Sequence, residues 1–481
     1  MSNDSKNNDM SSDEFRKYGH KFIDWIADYL ENIEHFPVLS NVEPNSVLEK
    51  LPQQPPENSE SMSQILEDVN KIIMPGITHW NHPNFMAYFN STASGPGILG
   101  ELLSGAFNIN GMIWKTSPAS TELELLTLGW LRQMLKLPEN FWGIIYDLAS
   151  ISSLHAIAAA REQAKETYTN FDITKLRIYI SEQAHSSIEK AVKTLGLPNS
   201  AIVKIGVDNK FSMEAKLLDD AISQDIQEGF QPFCIVATFG TTSTTSIDPI
   251  QEISKISRDR KIWLHIDAAY AGSAAILPEI RSYLNGVEFA DSLVLNPHKW
   301  MFVPIDLSVL FTTKPRLLKK AFSVVPEYLK TNEDNKVINF MDYGIQLGRR
   351  FRSLKLWFVI RYFGVNGLQN IIREHISLAK KFASYIDSDN NFERLAPTPF
   401  GTVCFRAIPN KNLSEKELNI FNKVLMDDIN NSGKLFLSHT KLNEKFTIRL
   451  VISGIRTTEQ HMENAWELIK EKTNQLVKTY N

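Results

Sequence analysis

Between about residues 86 and 370, short apolar runs alternate with longer segments of helical periodicity. The runs are LRIYIS, AIVKIGV, FCIVATFG, IWLHIDAA, DSLVLN and SVLFTT, and they are apolar nearly throughout rather than at every second position. Strands buried on both faces read this way, and strands separated by helices build βαβ units around a mostly parallel sheet. This alternation predicts an α/β fold. From about residue 380 the pattern changes. ERLAPTPFGTVCFRAI and FTIRLVISG read as strands of a smaller α+β domain, and TTEQHMENAWELIKEK as its last helix, with a Thr and early Glu residues at the start.

Upstream, apolar residues at 15, 18, 22, 25, 26, 29 and 30 form a helical stripe. The connector that follows, LEKLPQQPPENSE, is too rich in proline and polar residues for a packed helix. An apolar face on an irregular tether suits an arm that docks on a partner subunit. The chain of 481 residues thus divides into a disordered tail (1–12), a helical arm exchanged within a dimer (13–85), a large α/β domain (86–375) and a small α+β domain (376–481).

A net charge of −4 argues against nucleic acid as a partner, since phosphate binding needs a concentrated basic surface. The densest basic run, LGRRFRSLK (347–355), is interleaved with apolar residues and reads as the start of an amphipathic helix. Cys234 and Cys404 lie in apolar runs without the spacing of a metal knuckle or a redox pair, so buried thiols in a reducing compartment are expected. The N-terminal residues hold no apolar leader, and no apolar run reaches the roughly 18 residues that span a bilayer. A cytoplasmic protein with no membrane partner is the expectation.

In open α/β sheets, ligands bind where strands deliver their carboxyl ends. After IYIS comes His185, and after FCIVATFG the hydroxyl cluster Thr241 to Ser246. After IWLHI comes Asp267, and after DSLVLN comes PHK with Lys299. Each has an ordinary structural reading: a satisfied histidine, a helix cap, a lysine stem at a strand end. Together they ask for one ligand. An amine among apolar residues loses its proton more easily and can form an imine. A buried acid needs a cationic partner, and hydroxyls beside a helix N-terminus suit a phosphate. An imine-forming amine, an acid for a pyridinium and a phosphate cradle describe pyridoxal phosphate, with a generic α/β enzyme as the other reading.

The segments NPHKW, HIDAAYAGSAA, ATFGTTSTTSIDPI, AHSSIEKA and LGRRFRSLKLWF resemble the group II pyridoxal-phosphate decarboxylases, the aromatic-L-amino-acid decarboxylase family. The resemblance runs from about residue 15 to the C-terminus and includes MPGITHWNHPNFMAYF and SPASTELE. It implies the pyridoxal-phosphate-dependent transferase fold (fold type I) and a homodimer. Lys299 would hold the cofactor as an imine and Asp267 would pair with its ring nitrogen. His185 and Ala269 would lie on opposite faces of the ring, and Thr242 would contact its substituents. Ala149, Ser150 and Asn296 would hold the phosphate, with His298 close to it and to the lysine. Tyr328, in VVPEYLK, matches a loop tyrosine that returns a proton to the substrate α-carbon; its other reading is an ordinary loop residue. Relatives that form an aldehyde oxidatively generally lack that tyrosine, so its presence favours amine formation.

The chain departs from the family pattern at Leu148, where relatives carry a small or hydroxyl residue; weaker cofactor binding is the expected consequence. Trp80, Tyr88, Asn110, Met112 and Gly348 fall at substrate-pocket positions. Gly348 leaves room for a large ring and points to tryptophan, tyrosine, phenylalanine or dihydroxyphenylalanine as substrate. Asn110 keeps histidine or an acidic amino acid open, or simply satisfies backbone. A carbon–carbon lyase of a phosphorylated amine fits the Tyr328 segment less well. A non-catalytic scaffold has only Leu148 in its favour, against the retention of Lys299, Asp267, His185 and Tyr328. His79 and His82, in HWNH, have no further ligands at metal spacing and read as part of the pocket segment.

Overall fold

The computed structural model describes residues 9–324, 333, 336–409 and 413–480. Seven strands form the large sheet: β1 (Trp142–Tyr146), β2 (Leu176–Ser181), β3 (Ile202–Ile205), β4 (Gln231–Thr238), β5 (Trp263–Asp267), β6 (Ser292–Leu295) and β7 (Ser308–Thr312). Their spatial order is β1-β7-β6-β5-β4-β2-β3. β7 pairs antiparallel with both neighbours, and the pairs from β6 to β3 are parallel. All six runs expected as strands are in this sheet. β1 is an addition.

The uniform apolarity of the runs has a direct cause. Ile235 and Ala237 of β4 enter one hydrophobic core, while Cys234 and Val236 enter another. Ile266 of β5 and Trp263 divide in the same way. Both faces of the central strands are covered, so a polar side chain reaches water only at the edge, as Lys204 of β3 does. The sheet is a middle layer.

Four further strands, β8 (Phe392–Arg394), β9 (Thr402–Ala407), β10 (Ser438–Leu442) and β11 (Lys445–Val451), form an antiparallel sheet in the order β10-β11-β9-β8. Helices Glu415–Asn431 and Glu459–Tyr480 cover it, the first opened by a capping box between Ser414 and Glu417. One helix, Ser353–Ser388, serves both sheets. Leu368, Ile372 and Ile376 pack in a core of the large sheet, and Leu378, Phe382 and Ile386 in that of the small one. Its single break is at Gly364, whose φ of 64° is open to glycine without strain.

The N-terminal helix spans Ser12–Glu31 and is capped by Ser11, whose side chain accepts from the Glu14 amide. None of its residues is buried within the chain. The segment after it returns to the small sheet, where the Val38 amide donates to Gly433 at 2.8 Å and Val38 packs against Phe85 and Ala87.

Candidate active site

β2, β4, β5 and β6 end at one rim, around a cavity of about 200 Å³. Lys299, Asp267, His185, Ala269, Thr242, Ala149, Ser150, Asn296 and His298 all line it. Phe89, Leu148, Ser187, Thr238, Gly240 and Tyr270 complete the wall.

Lys299 lies in the single-turn helix Pro297–Trp300 immediately after β6. Its Nζ is 5.3 Å from the centre of the Phe89 ring. Burial pulls its pKa below the ordinary lysine value, and the negative charge of Asp267 acts in the opposite sense. Asp267, the last residue of β5, is 7% exposed, and its Oδ1 accepts from the Ala269 amide at 3.1 Å. A carboxylate this enclosed calls for a cation, and no side chain within 4 Å supplies one among the described residues.

His185 stands two residues before Ser187, which opens the helix Ser187–Thr194. Its Nδ1 lies 3.2 Å from the Ser187 amide and 2.8 Å from Ser187 Oγ. A backbone N–H can only donate, so Nδ1 is the acceptor and the neutral ring carries its proton on Nε2. Burial lowers the pKa of this ring, and Lys299 and Lys190 act in the same direction against Asp267.

Ala149 and Ser150 are the first two residues of the helix Ala149–Thr167. The amides at such a start have no partner inside the helix and suit an anion. Leu148 is the N-cap, in extended conformation, and its side chain makes no capping hydrogen bond. In the same wall, Asn296 is 2% exposed, and its Oδ1 is buried with no hydrogen-bond partner. His298 Nδ1 is 2.7 Å from the Leu307 carbonyl oxygen, and burial pushes its pKa down to about 4.

Thr242 is reached from the small sheet. Arg449, on β11 and 3% exposed, donates to the carbonyls of Thr242 and Ser243, each at 2.8 Å, and to Ser438 Oγ at 2.9 Å. Sequence reasoning missed Arg449, Phe89 and Tyr270. Tyr270 and Phe89 left a signal, standing inside the quoted HIDAAYAGSAA and MPGITHWNHPNFMAYF; Arg449 acts through contacts with no local signature.

The five expected pocket residues are not part of this wall. Trp80 and Tyr88 stack on each other, 6.0 Å apart, and are 41% and 52% exposed. Asn110, Met112 and Gly348 form a separate group. The Asn110 Oδ1 accepts from the Arg349 amide at 2.9 Å, and its Nδ2 lies 3.6 Å from Met112 Sδ. Its amide thus satisfies backbone. A Cβ placed on Gly348 would sit 3.6 Å from Asn110 Nδ2, an ordinary contact, so the glycine is not demanded by packing. Tyr328 lies outside the described residues. His79 Nδ1 lies 2.9 Å from the Tyr29 hydroxyl, and His82 Nδ1 accepts from the Asn84 amide at 3.0 Å.

These groups fit pyridoxal phosphate. An enclosed carboxylate without a cation, an amine of lowered basicity, unpaired helix amides and an orphaned Asn296 oxygen match its ring nitrogen, carbonyl and phosphate regions. The comparisons agree. Residues 44–408 match the family described as the pyridoxal-dependent decarboxylase conserved domain. The chain is 42% identical over 478 residues to phenylacetaldehyde synthase of Arabidopsis thaliana, covering 97% of each chain. It is also 42% identical to tryptophan decarboxylase 2 of Oryza sativa subsp. japonica, covering 97% of this chain and 96% of the relative. A crystal structure of Oryza sativa TDC with PLP and tryptamine superposes with a TM-score of 0.95 at 35% identity, over 97% of this chain and 99% of that one.

Proposed function

The chain belongs to the pyridoxal-dependent decarboxylases, and on that premise we propose that it converts an aromatic L-amino acid to its amine and carbon dioxide. The observation that carries this reading is the pairing, in one cavity, of an amine of lowered basicity with an enclosed, cation-free carboxylate. Its cofactor is pyridoxal 5'-phosphate, which when bound supplies a sink for the electron pair that departing carbon dioxide leaves behind.

In this reading Lys299 would hold the cofactor covalently, and Asp267 would pair with its ring nitrogen. His185 and Ala269 would flank the ring, and Thr242 would contact its substituents. Ala149, Ser150 and Asn296 would hold the phosphate, with His298 close to it and to the lysine. Tyr328 returns a proton to the α-carbon, which completes the amine. The relatives support aromatic substrates, and the backbone engagement of Asn110 weakens the case for histidine.

A second reading keeps the site and changes the product. The 42% identity to a phenylacetaldehyde synthase favours oxidative conversion to an aldehyde, with dioxygen and water consumed and carbon dioxide, ammonia and hydrogen peroxide released. One experiment separates the two. Purified protein loaded with pyridoxal phosphate is given L-tryptophan, L-tyrosine, L-phenylalanine or dihydroxyphenylalanine singly, and carbon dioxide, amine, aldehyde and peroxide are measured. Amine without peroxide supports the first reading, and aldehyde with peroxide the second. An imine absorption band without turnover of any aromatic acid would sink the aromatic substrate class.

We further take the working form to be a cytoplasmic homodimer, with residues 13–85 as an exchanged arm, 86–375 as the cofactor domain and 376–481 as the small domain. Leu99, Leu102 and Phe107, on the helix Gly95–Phe107, are 49%, 54% and 55% exposed, a row of large apolar side chains on one helix of the kind that marks an interface. A second copy would cover them. Sedimentation that gives a monomer at assay concentration would overturn this part alone.

A further inference from the structure

Behind the cavity wall runs a column of parallel rings. Phe89 stacks on Tyr270 with centroids 3.8 Å apart and planes 9° apart. Tyr270 stacks on Trp300 at 4.7 Å and 2°. Trp300 is the residue after Lys299, fully buried, and its indole edge meets His375 in nearly the same plane, 5° apart. The indole Nε1 donates to His375 Nδ1 at 3.0 Å. His375 lies on the shared helix and is 2% exposed.

The chemistry of this contact leaves one arrangement. An indole N–H donates and never accepts, so Nδ1 of His375 must be unprotonated and the proton must sit on Nε2. The ring is then neutral, and it cannot rotate without leaving the buried indole N–H unpaired. A buried donor left without a partner is costly, because it forfeits water as well as the protein acceptor. His375 therefore sets the plane of Trp300. Through two stacked contacts, that plane sets Phe89, over which the lysine amine stands at 5.3 Å.

We propose that His375, some distance from the reacting atoms in sequence and in space, is a positioning residue for Lys299 and for the cavity wall at Phe89. It acts through the side chain of Trp300, the residue after the lysine. The inference rests on the cofactor assignment above and extends it to a residue that does not line the cavity.

The test uses full-length protein reconstituted with pyridoxal phosphate. His375→Leu removes the acceptor at similar volume, His375→Asn restores an acceptor near the Nδ1 position, and Trp300→Phe removes the donor. The readouts are visible circular dichroism of the bound cofactor, its dissociation constant, and kcat and KM separately. We expect His375→Leu and Trp300→Phe to lose most of the cofactor dichroism and about tenfold in kcat, the scale of a slightly misplaced reacting group, with KM within about twofold. His375→Asn should recover most of both. A His375→Leu protein with wild-type dichroism and kcat, whatever its thermal midpoint, overturns the proposal, because a purely structural role moves only stability. If His375→Leu does not fold, Trp300→Phe decides: wild-type dichroism in that variant is equally fatal. A wild-type protein without a cofactor band would instead count against the cofactor assignment.

Discussion

Lys299 is the residue from which the chemistry departs. Replacing it with alanine removes a desolvated amine that makes no hydrogen bond or ion pair among the described residues, so the thermal midpoint should hold or rise slightly. The imine absorption band should vanish, and decarboxylation should fall by on the order of 10³-fold or more. A Lys299→Ala protein turning over at the wild-type rate would remove the whole assignment. Tyr328→Phe tests the branch between products: amine should give way to aldehyde and peroxide, and unchanged amine formation would free Tyr328 of its role. Acid sensitivity follows from buried imidazoles. Burial pushes His265, His298 and His375 down to about 4 and His155 to about 3, against a value near 6.5 in the unfolded chain. The unfolded state therefore binds more protons below pH 6.5, and stability is lost as pH falls from 6.5 to about 4. Asp248 acts the other way. Burial raises it to about 6, so its contribution is present below about 3.8 and is lost as pH rises through 6. Four histidines outweigh one carboxylate, and denaturant midpoints measured between pH 7 and 4.5 should decline steadily. A flat profile would contradict the neutral, buried state of these rings.

Among the elements, the helix Ala149–Thr167 carries an avoidable weakness. Its N-cap is Leu148, 40% exposed, where a serine hydroxyl would accept an amide hydrogen bond. Leu148→Ser should stabilise the fold by about 1 kcal/mol. It should also tighten pyridoxal phosphate, read from the dissociation constant, by adding a hydroxyl beside the phosphate amides; looser binding would mean that Leu148 shields the site instead. The strands show what a sequence can disclose. β2, β4, β5 and β6 were legible because both faces are buried, which leaves an unbroken apolar run and puts the chemistry at each run's end. β10, SHTKL, was not: it is an edge strand whose middle residues face outward. The antiparallel course of β7 was equally hidden, since it depends on pairing Ser308 with Tyr146, far away in sequence. The same limit concealed Arg449, whose partners Thr242 and Ser243 are more than 200 residues away.

Across the whole molecule, the two sheets do not have separate foundations. The helix Ser353–Ser388 contributes Ile372 and Ile376 to one core and Leu378 and Phe382 to the other, without a break between them. Arg449 ties the same two parts together beside the cavity. A fragment beginning at residue 376 would start in mid-helix and lack the contacts of that helix's first half, so it should show no cooperative melt. Calorimetry of the full chain at fixed concentration should show one transition; two resolved transitions would separate the lobes thermodynamically. A further consequence concerns traffic. A beam rooted in both halves cannot pivot between Ile376 and Leu378, and its one soft point, Gly364, lies among residues of the large sheet's core, with Val359 and Ile360 before it and Leu368 after it. Substrate and product must therefore come and go through a doorway framed by the loops and side chains of the rim, while the two halves stay clasped through every turnover.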